Sequence, residues 1–131
     1  MIITAFYASL LALLFVFLSF RVIGWRRLKK VEIGHGDDNQ LLRRMRVHAN
    51  FAEYVPFTLL LMAMAESMTA PRPLIHLVGL ILIAGRLMHA YGLSQTPHIL
   101  RYRVWGMMFT FLALSVSALL CLLLSGLFLI A

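Results

Sequence analysis

Cysteine and acidic residues are scarce in this chain of 131 residues. The single cysteine, Cys121, lies in an apolar run. One cysteine excludes a disulfide within the chain and a zinc site built on cysteines, and we expect no metal. Five Asp and Glu residues face twelve Lys and Arg residues, which gives a net charge of +7. An excess of basic residues can indicate nucleic-acid binding, but these charges flank hydrophobic runs, as membrane-topology signals do. We therefore expect no nucleic-acid partner.

Charge is absent from two long stretches, residues 1–20 and 104–131. A membrane-spanning helix needs about 20 apolar residues. The whole chain is 62% hydrophobic, with a mean hydropathy of +0.89, whereas soluble domains are about 45–50% apolar. No basic residue precedes the first apolar run, and Arg21, Arg26 and Arg27 follow it. That order indicates a retained first helix rather than a cleaved signal peptide.

Two further helices are predicted between these stretches. Residues 31–40 are polar and contain two glycines, which indicates a loop, and Asp38 or Asn39 is suited to cap the second helix. Thr96 is suited to cap the fourth helix, with Pro97 at its first position. The predicted apolar runs are residues 1–20, 54–65, 74–93 and 104–131. The sequence therefore predicts an all-α membrane protein, a single four-helix transmembrane domain over residues 1–131.

The basic residues also predict the orientation in the membrane. Segment 21–46 carries eight Lys and Arg residues, and Arg101 and Arg103 lie before the last apolar run. The middle turn has only Arg72. Positive loops remain in the cytoplasm. We therefore expect loops one and three in the cytoplasm and both termini outside it.

Charged residues inside a membrane helix are costly and are candidates for function. Glu53 lies 16 residues before position 69, and Arg86 lies 14 residues after position 72. At about 1.5 Å per residue, both lie roughly 21–24 Å from the middle turn. We therefore predict an ion pair between Glu53 and Arg86, either within one subunit or between two.

Polar residues in the second helix recur at helical spacing. Arg46, Asn50, Glu53 and Phe57 share one stripe, and His48 lies off it. Arg86 and His89 share a face of the third helix. These positions predict a cytoplasmic cavity rich in arginine, suited to an anion that also carries an amine, because guanidinium groups match carboxylates. An arginine beside a thiol also favours the thiolate.

The segment 46–56, RVHANFAEYVP, resembles the signature of the MAPEG family, membrane-associated proteins in eicosanoid and glutathione metabolism. The shared pattern is R-x-[QH]-x-N-x-x-E-[YT], followed closely by Pro. The resemblance extends over the whole chain in length and four-helix layout, and the small size and short loops are similar to those of bacterial members. It implies a homotrimer in the bacterial inner membrane, with glutathione as co-substrate bound between neighbouring subunits on the cytoplasmic side.

The resemblance also implies a role for individual residues. On the third helix, Leu93 stands where the family often has a tyrosine, and the start of the fourth helix does not match closely. Arg21 or Arg26 corresponds to a basic residue at the end of the first helix. The implied glutathione-binding residues are Arg46, His48, Asn50, Glu53, Tyr54, Arg86 and His89, and the implied thiol-activating residue is Arg101 or Arg103.

The function implied by the resemblance is that of a glutathione transferase or peroxidase acting on lipophilic small molecules. Two other functions are compatible with the residues. One is a non-catalytic membrane protein of the same fold that binds membrane lipid or another ligand. The other is a small transporter or channel subunit that uses Glu53 and Arg86 as a relay. The chain lacks the inverted repeat and broken helices that many transporters have.

Overall fold

The computed structural model describes residues 1–130, and all regular structure in this range is α-helical. The helices are α1 (Ile2–Lys29), α2 (Asn39–Ser67), α3 (Arg72–Ser94) and α4 (Leu100–Ile130). Three of them, α1, α3 and α4, are long and apolar enough to cross a membrane. The first half of α2 is too polar to qualify on composition alone. The structure thus confirms the predicted all-α, four-helix membrane architecture.

Helix α2 runs antiparallel to α1 along its full length. At one end, the Glu66 carboxylate accepts hydrogen bonds from the backbone N–H groups of Ile3 and Thr4, at 2.9 and 2.8 Å. At the other end, Trp25 Nε1 donates to Asp38 Oδ1 at 3.2 Å. Because both ends of the pair are joined, α2 crosses the same distance as the apolar α1. We call the end that holds loops 30–38 and 95–99 the basic end.

The start of α2 is set by local sequence, as predicted. Asp38 is the N-cap, and its carboxylate accepts the Leu41 N–H at 2.8 Å. Such caps satisfy a backbone donor that the first helical turn leaves without a partner. Lys29 Nζ lies 3.5 Å from the same carboxylate. Asp38 therefore fixes both the first turn of α2 and its distance from the end of α1.

Helices α3 and α4 pack backbone to backbone because glycines line their contact. A Cβ added at Gly106 would lie 2.5 Å from the His89 backbone nitrogen and 2.7 Å from the Gly85 carbonyl oxygen. A Cβ at Gly92 would lie 2.7 Å from the Arg103 backbone nitrogen. Small residues permit such close approach between membrane helices. This contact determines how the polar residues of α3 face those of α4.

The beginning of α4 differs from the prediction. The helix starts at Leu100 rather than at Pro97. The Thr96 hydroxyl is not a cap, because Gln40 Nε2 and Arg43 Nη1 both lie 3.0 Å from it. The Ile99 N–H donates instead to the carbonyl of Gly92, at 2.8 Å. Contacts with α2 and α3 therefore hold residues 95–99 as a turn.

We predict that Gly106→Ala destabilises the protein. The new methyl group would meet the backbone of α3 rather than a movable side chain, and overpacking of this kind costs about 1–3 kcal/mol. Thermal unfolding in detergent should show a lower melting temperature. Gly126→Ala is the matched control on the same helix, because nothing lies within 4 Å of its added Cβ. Equal melting temperatures for the two variants would contradict the proposed backbone contact.

We predict that the effect of Asp38→Ala on stability depends on pH. The Leu41 N–H, with smaller contributions from Trp25 and Lys29, lowers the pKa of the Asp38 carboxyl below its usual value. A carboxyl with a lowered folded-state pKa stabilises the fold above its unfolded-state pKa, and this contribution is lost as pH falls through the folded-state pKa. The wild-type protein should therefore have a higher melting temperature than Asp38→Ala at neutral pH, and the difference between the two melting temperatures should decrease in acid. A gap independent of pH would contradict this.

Candidate functional site

A cavity of 330 Å³ lies at the basic end, between α2, α3 and the start of α4. Four of the predicted site residues line it: Arg46, Asn50, His89 and Arg103. Its remaining lining residues are Leu42, Arg43, Leu93 and His98. The cavity therefore gathers side chains that are distant in sequence, three of them arginines.

Arg86 supports this cavity from behind. Only 2% of the residue is exposed. Its Nη1 donates to Asn50 Oδ1 at 2.7 Å and to the Asn50 carbonyl at 3.3 Å, and its Nη2 lies 3.5 Å from Met107 Sδ. The Nε atom is buried without a partner. Arg86 thus orients Asn50, which in turn lines the cavity.

Arg43 joins the cavity wall to the turn before α4. Its Nη1 donates to the Gln95 carbonyl at 2.7 Å and lies 3.0 Å from the Thr96 hydroxyl. Gln40, one turn earlier on α2, donates to the same hydroxyl at 3.0 Å. These bonds hold the 95–99 turn against α2. The turn carries His98 into the lining of the cavity.

Two residues of the family motif point away from the cavity. His48 faces α1, where its Nε2 lies 3.0 Å from the Ser19 hydroxyl and its ring stacks on Phe15 at 4.5 Å between centroids. This agrees with its position off the predicted stripe. Glu53 is exposed on the outer surface of the four-helix unit, as Phe57 is. The stripe is therefore present, but part of it faces the outer surface of the four-helix unit rather than the cavity.

Four other candidates lie outside the cavity lining. The Tyr54 ring packs edge-on against Phe111 of α4, at 5.4 Å between centroids. Arg101 and Arg103 are both exposed, but only Arg103 lines the cavity. Arg21 Nη2 donates to the Ser94 hydroxyl at 3.0 Å, and Arg26 holds the carbonyls of loop 30–38. Of the two arginines predicted at the start of the fourth helix, only Arg103 therefore reaches the cavity of its own chain.

The predicted ion pair between Glu53 and Arg86 does not form within one chain. Among residues 1–130 the side-chain ion pairs are those of Glu66 and Asp38. Glu53 faces outward, whereas Arg86 points inward to Asn50. Depth along two helices predicts the height of each side chain, but it does not specify direction around the helix axis. A pair between subunits stays a prediction.

Sequence reasoning missed two lining residues, Arg43 and His98. The basic cluster at the start of α2 indicates an interfacial anchor at Arg43, although this residue precedes Arg46 by three positions and so shares its face. The turn before α4 indicates a solvated residue at His98. Its place in the cavity depends on the contacts of Arg43 and Gln40 with Thr96, which no local pattern contains.

The cavity has the electrostatic character of an anion site. Arg43, Arg46 and Arg103 line it, and no carboxylate does within residues 1–130. Guanidinium groups bind carboxylates and phosphates in bidentate fashion. Asn50 adds an amide, and the two histidines add ring nitrogens that can donate or accept. A single chain therefore offers strong partners for negative groups and none of opposite charge for an ammonium group.

The helices and this cavity define a class: integral membrane proteins of four helices with an arginine-lined polar site at one end. The chain belongs to the MAPEG family, which it matches over residues 4–123. It is 38% identical over 112 residues to the inner membrane protein YecN of Escherichia coli strain K12, covering 86% of this chain and 84% of that protein. The same values hold for YecN of the O6:H1 strain. The chain is accordingly an integral protein of the inner membrane.

We predict that Asn50→Leu destabilises the protein because it removes the side-chain oxygen that accepts the shortest hydrogen bond of the buried Arg86 guanidinium, at 2.7 Å. Hydrogen bonds to charged groups contribute about 1.5–3 kcal/mol, and the unfolding free energy should fall by roughly this amount. Asn50→Asp keeps a hydrogen-bond acceptor for Arg86, and its free energy of unfolding should fall by less. Asn39→Leu, at an exposed position on the same helix, is the control. Denaturation in detergent measures all three, and an Asn50→Leu variant as stable as wild type would contradict the role given to Arg86.

Proposed function

We propose that this protein binds glutathione in the arginine-lined cavity and transfers it to lipophilic electrophiles or uses it to reduce lipophilic peroxides. The observation that carries the proposal is that Arg46, Asn50 and His89, which match family positions, line one cavity together with Arg103, one of the two arginines considered for thiol activation. The family itself is associated with eicosanoid and glutathione metabolism, and the name of YecN states a location and no activity.

The charges of the cavity fit the tripeptide at its acidic groups. Glutathione carries two carboxylates, one ammonium group and one thiol. Arg43 and Arg46 lie on successive turns of α2 and can bind carboxylates. Asn50, held in place by Arg86, offers an amide to the peptide groups. Binding at several points fixes the thiol relative to the second substrate, which is a large part of catalysis by positioning.

Arg103 is the residue we assign to thiol activation. Both arginines are exposed in the single chain, and of the two only Arg103 lines the cavity. A cation beside a thiol lowers its pKa and favours the thiolate, which is the nucleophile. In conjugation the thiol proton leaves to solvent, and the thiolate sulfur forms a bond to carbon. The leaving group departs with the electron pair of the bond that breaks.

Glu53 supports a site completed by a second copy of the chain. It lies about midway along α2 and is exposed, which is unfavourable for a carboxylate at membrane depth. The cavity of one chain lacks a carboxylate for the ammonium group of glutathione. In the proposed homotrimer, Glu53 of one subunit meets the arginine-rich site of its neighbour. A pair between Glu53 and Arg86 across that interface would also require Arg86, which is 2% exposed, to turn away from Asn50.

The membrane supplies the second substrate in this proposal. An apolar groove of 280 Å³ lies between α1 and α2, lined by Ala8, Leu11, Ala12, Phe15, Phe51, Ala52, Val55, Pro56 and Leu59. This groove also favours the second candidate function, binding of a lipid or other lipophilic ligand without catalysis. We also propose that the basic end faces the cytoplasm, where positive loops remain, with both termini on the other side.

We predict that Arg103→Gln abolishes the thiolate band in the ultraviolet difference spectrum of bound glutathione, whereas Arg101→Gln retains it. A neighbouring cation shifts an acid by about one to three pKa units, and so the conjugation rate with a lipophilic electrophile should fall at least about tenfold. Calorimetry should be run on each variant to separate binding from activation.

Three outcomes would decide between the candidates. Loss of the band in Arg101→Gln alone would transfer activation to Arg101. Glutathione binding without a thiolate band or turnover in wild type would favour the non-catalytic function. No glutathione binding by the wild-type protein would contradict the proposal and leave binding of a lipophilic ligand as the better candidate.

A further inference from the structure

A second cavity, of 420 Å³, lies beside the last turns of α1 at the basic end. It is lined by Ile23, Arg26, Arg27, Lys30, Val31 and Glu32. None of these residues lines the arginine-rich cavity between α2, α3 and α4. We call it the α1 groove. It is a separate feature, and its binding properties do not depend on the proposed glutathione chemistry.

The wall of the α1 groove is held in shape by the chain itself. Arg26 Nη1 donates to the carbonyls of Glu32 and Gly34, at 3.3 and 2.8 Å, and its Nη2 lies 3.3 Å from Met45 Sδ. The Val31 N–H donates to the Arg26 carbonyl at 3.0 Å. The Arg26 guanidinium is therefore engaged with the loop and with α2, and it fixes the start of loop 30–38 against α1.

Two cations of the groove are free for another partner. Arg27 and Lys30 are exposed. Within residues 1–130, neither forms a side-chain ion pair. The ion pair at this end joins Lys29 and Asp38, and the one at the opposite end joins the N-terminus and Glu66. Both side chains line the groove, Arg27 from the last turn of α1 and Lys30 from the C-cap position that follows Lys29. Glu32 also lines the groove, and its negative charge weakens the attraction of the two cations for an anion.

The groove lies at the water-facing edge of the lipid headgroups. The uncharged part of α1, residues 2–20, covers about 28 Å at about 1.5 Å per residue, close to the roughly 30 Å hydrocarbon core. The backbone at Arg27 and Lys30 then lies roughly 10–15 Å beyond the core, past a headgroup layer of about 5–7 Å, and the long side chains of both residues can extend back toward the lipid phosphates. Apolar side chains remain exposed around them: Ile23 is 42%, Leu28 67% and Ile33 91% exposed.

We propose that the α1 groove binds the phosphodiester headgroup of an anionic phospholipid. Arg27 and Lys30 bind the phosphate, and Ile23, one helical turn nearer the hydrocarbon core and 42% exposed, contacts the first part of the acyl chains. Basic clusters next to a membrane helix attract anionic lipid. A soluble phosphate compound would gain the ionic contacts alone. Because exposed apolar surface adjoins the cations, the occupant is a lipid.

The test is native mass spectrometry of the full, delipidated protein titrated with phosphatidylglycerol or phosphatidylcholine of the same acyl chains. Wild type should bind phosphatidylglycerol more tightly. Because each surface cation attracts anionic lipid with about 1 kcal/mol, Arg27→Gln and Lys30→Gln should each weaken the first binding event about fivefold. Glu32→Gln should strengthen it. Arg72→Gln, the same charge change at the opposite end of the bundle, should have no effect.

A titration with glycerophosphoglycerol, which has the headgroup without acyl chains, separates lipid from soluble phosphate. It should bind far more weakly than the lipid. Equal affinity for the headgroup alone, an unchanged preference in the Arg27→Gln, Lys30→Gln double variant, or weaker binding in Glu32→Gln would each overturn the proposal. The Glu32→Gln arm removes no cation, and so it remains decisive if the double variant is poorly folded.

Discussion

A guanidinium group buried inside a membrane protein must be held by polar partners, and the arrangement of this site depends on how Arg86 is held. Its partners come from two other helices, Asn50 of α2 and Met107 of α4. Leaving a buried charge without hydrogen bonds is far more costly than leaving it exposed. The three helices are thereby fixed around one cation, and Asn50 is turned toward the cavity that α2, α3 and α4 enclose.

The same region requires side chains to be absent. Gly106 lets α4 approach the His89 backbone, and Gly92 lets α3 approach the Arg103 backbone. With larger residues there, the two helices would separate, and His89 and Arg103 would no longer line one cavity. The polar partners of Arg86 and the glycines of the helix contact therefore act together. The hydrogen bonds of Arg86 attract the helices to one another, and the glycines allow the close helix spacing at which these bonds form.

Local sequence was sufficient to predict the helices and one helix start, but not the direction in which each polar residue faces. Hydropathy predicted three of the four spans and the apolar second half of α2, and the Asp38 cap was readable because it acts within four residues. Arg46, Asn50 and Glu53 were correctly assigned to one stripe. The period does not reveal which flank of that stripe packs inward, and of the three residues only Asn50 forms a hydrogen bond with α3. The start of α4 was mispredicted because long-range bonds to Thr96 override its local capping preference.

The positions of Glu53 and of the cavity arginines are complementary, which bears on assembly. One chain leaves a carboxylate exposed midway along α2 and gathers three guanidinium groups around a cavity without a carboxylate. Each arrangement is unfavourable in a membrane protein on its own, since a charge there needs a partner or water. In the proposed homotrimer, symmetric association would satisfy both at once, because every copy would supply the acid that its neighbour lacks. That reciprocity, rather than any single contact, is the physical reason for proposing that the ligand site is shared between subunits.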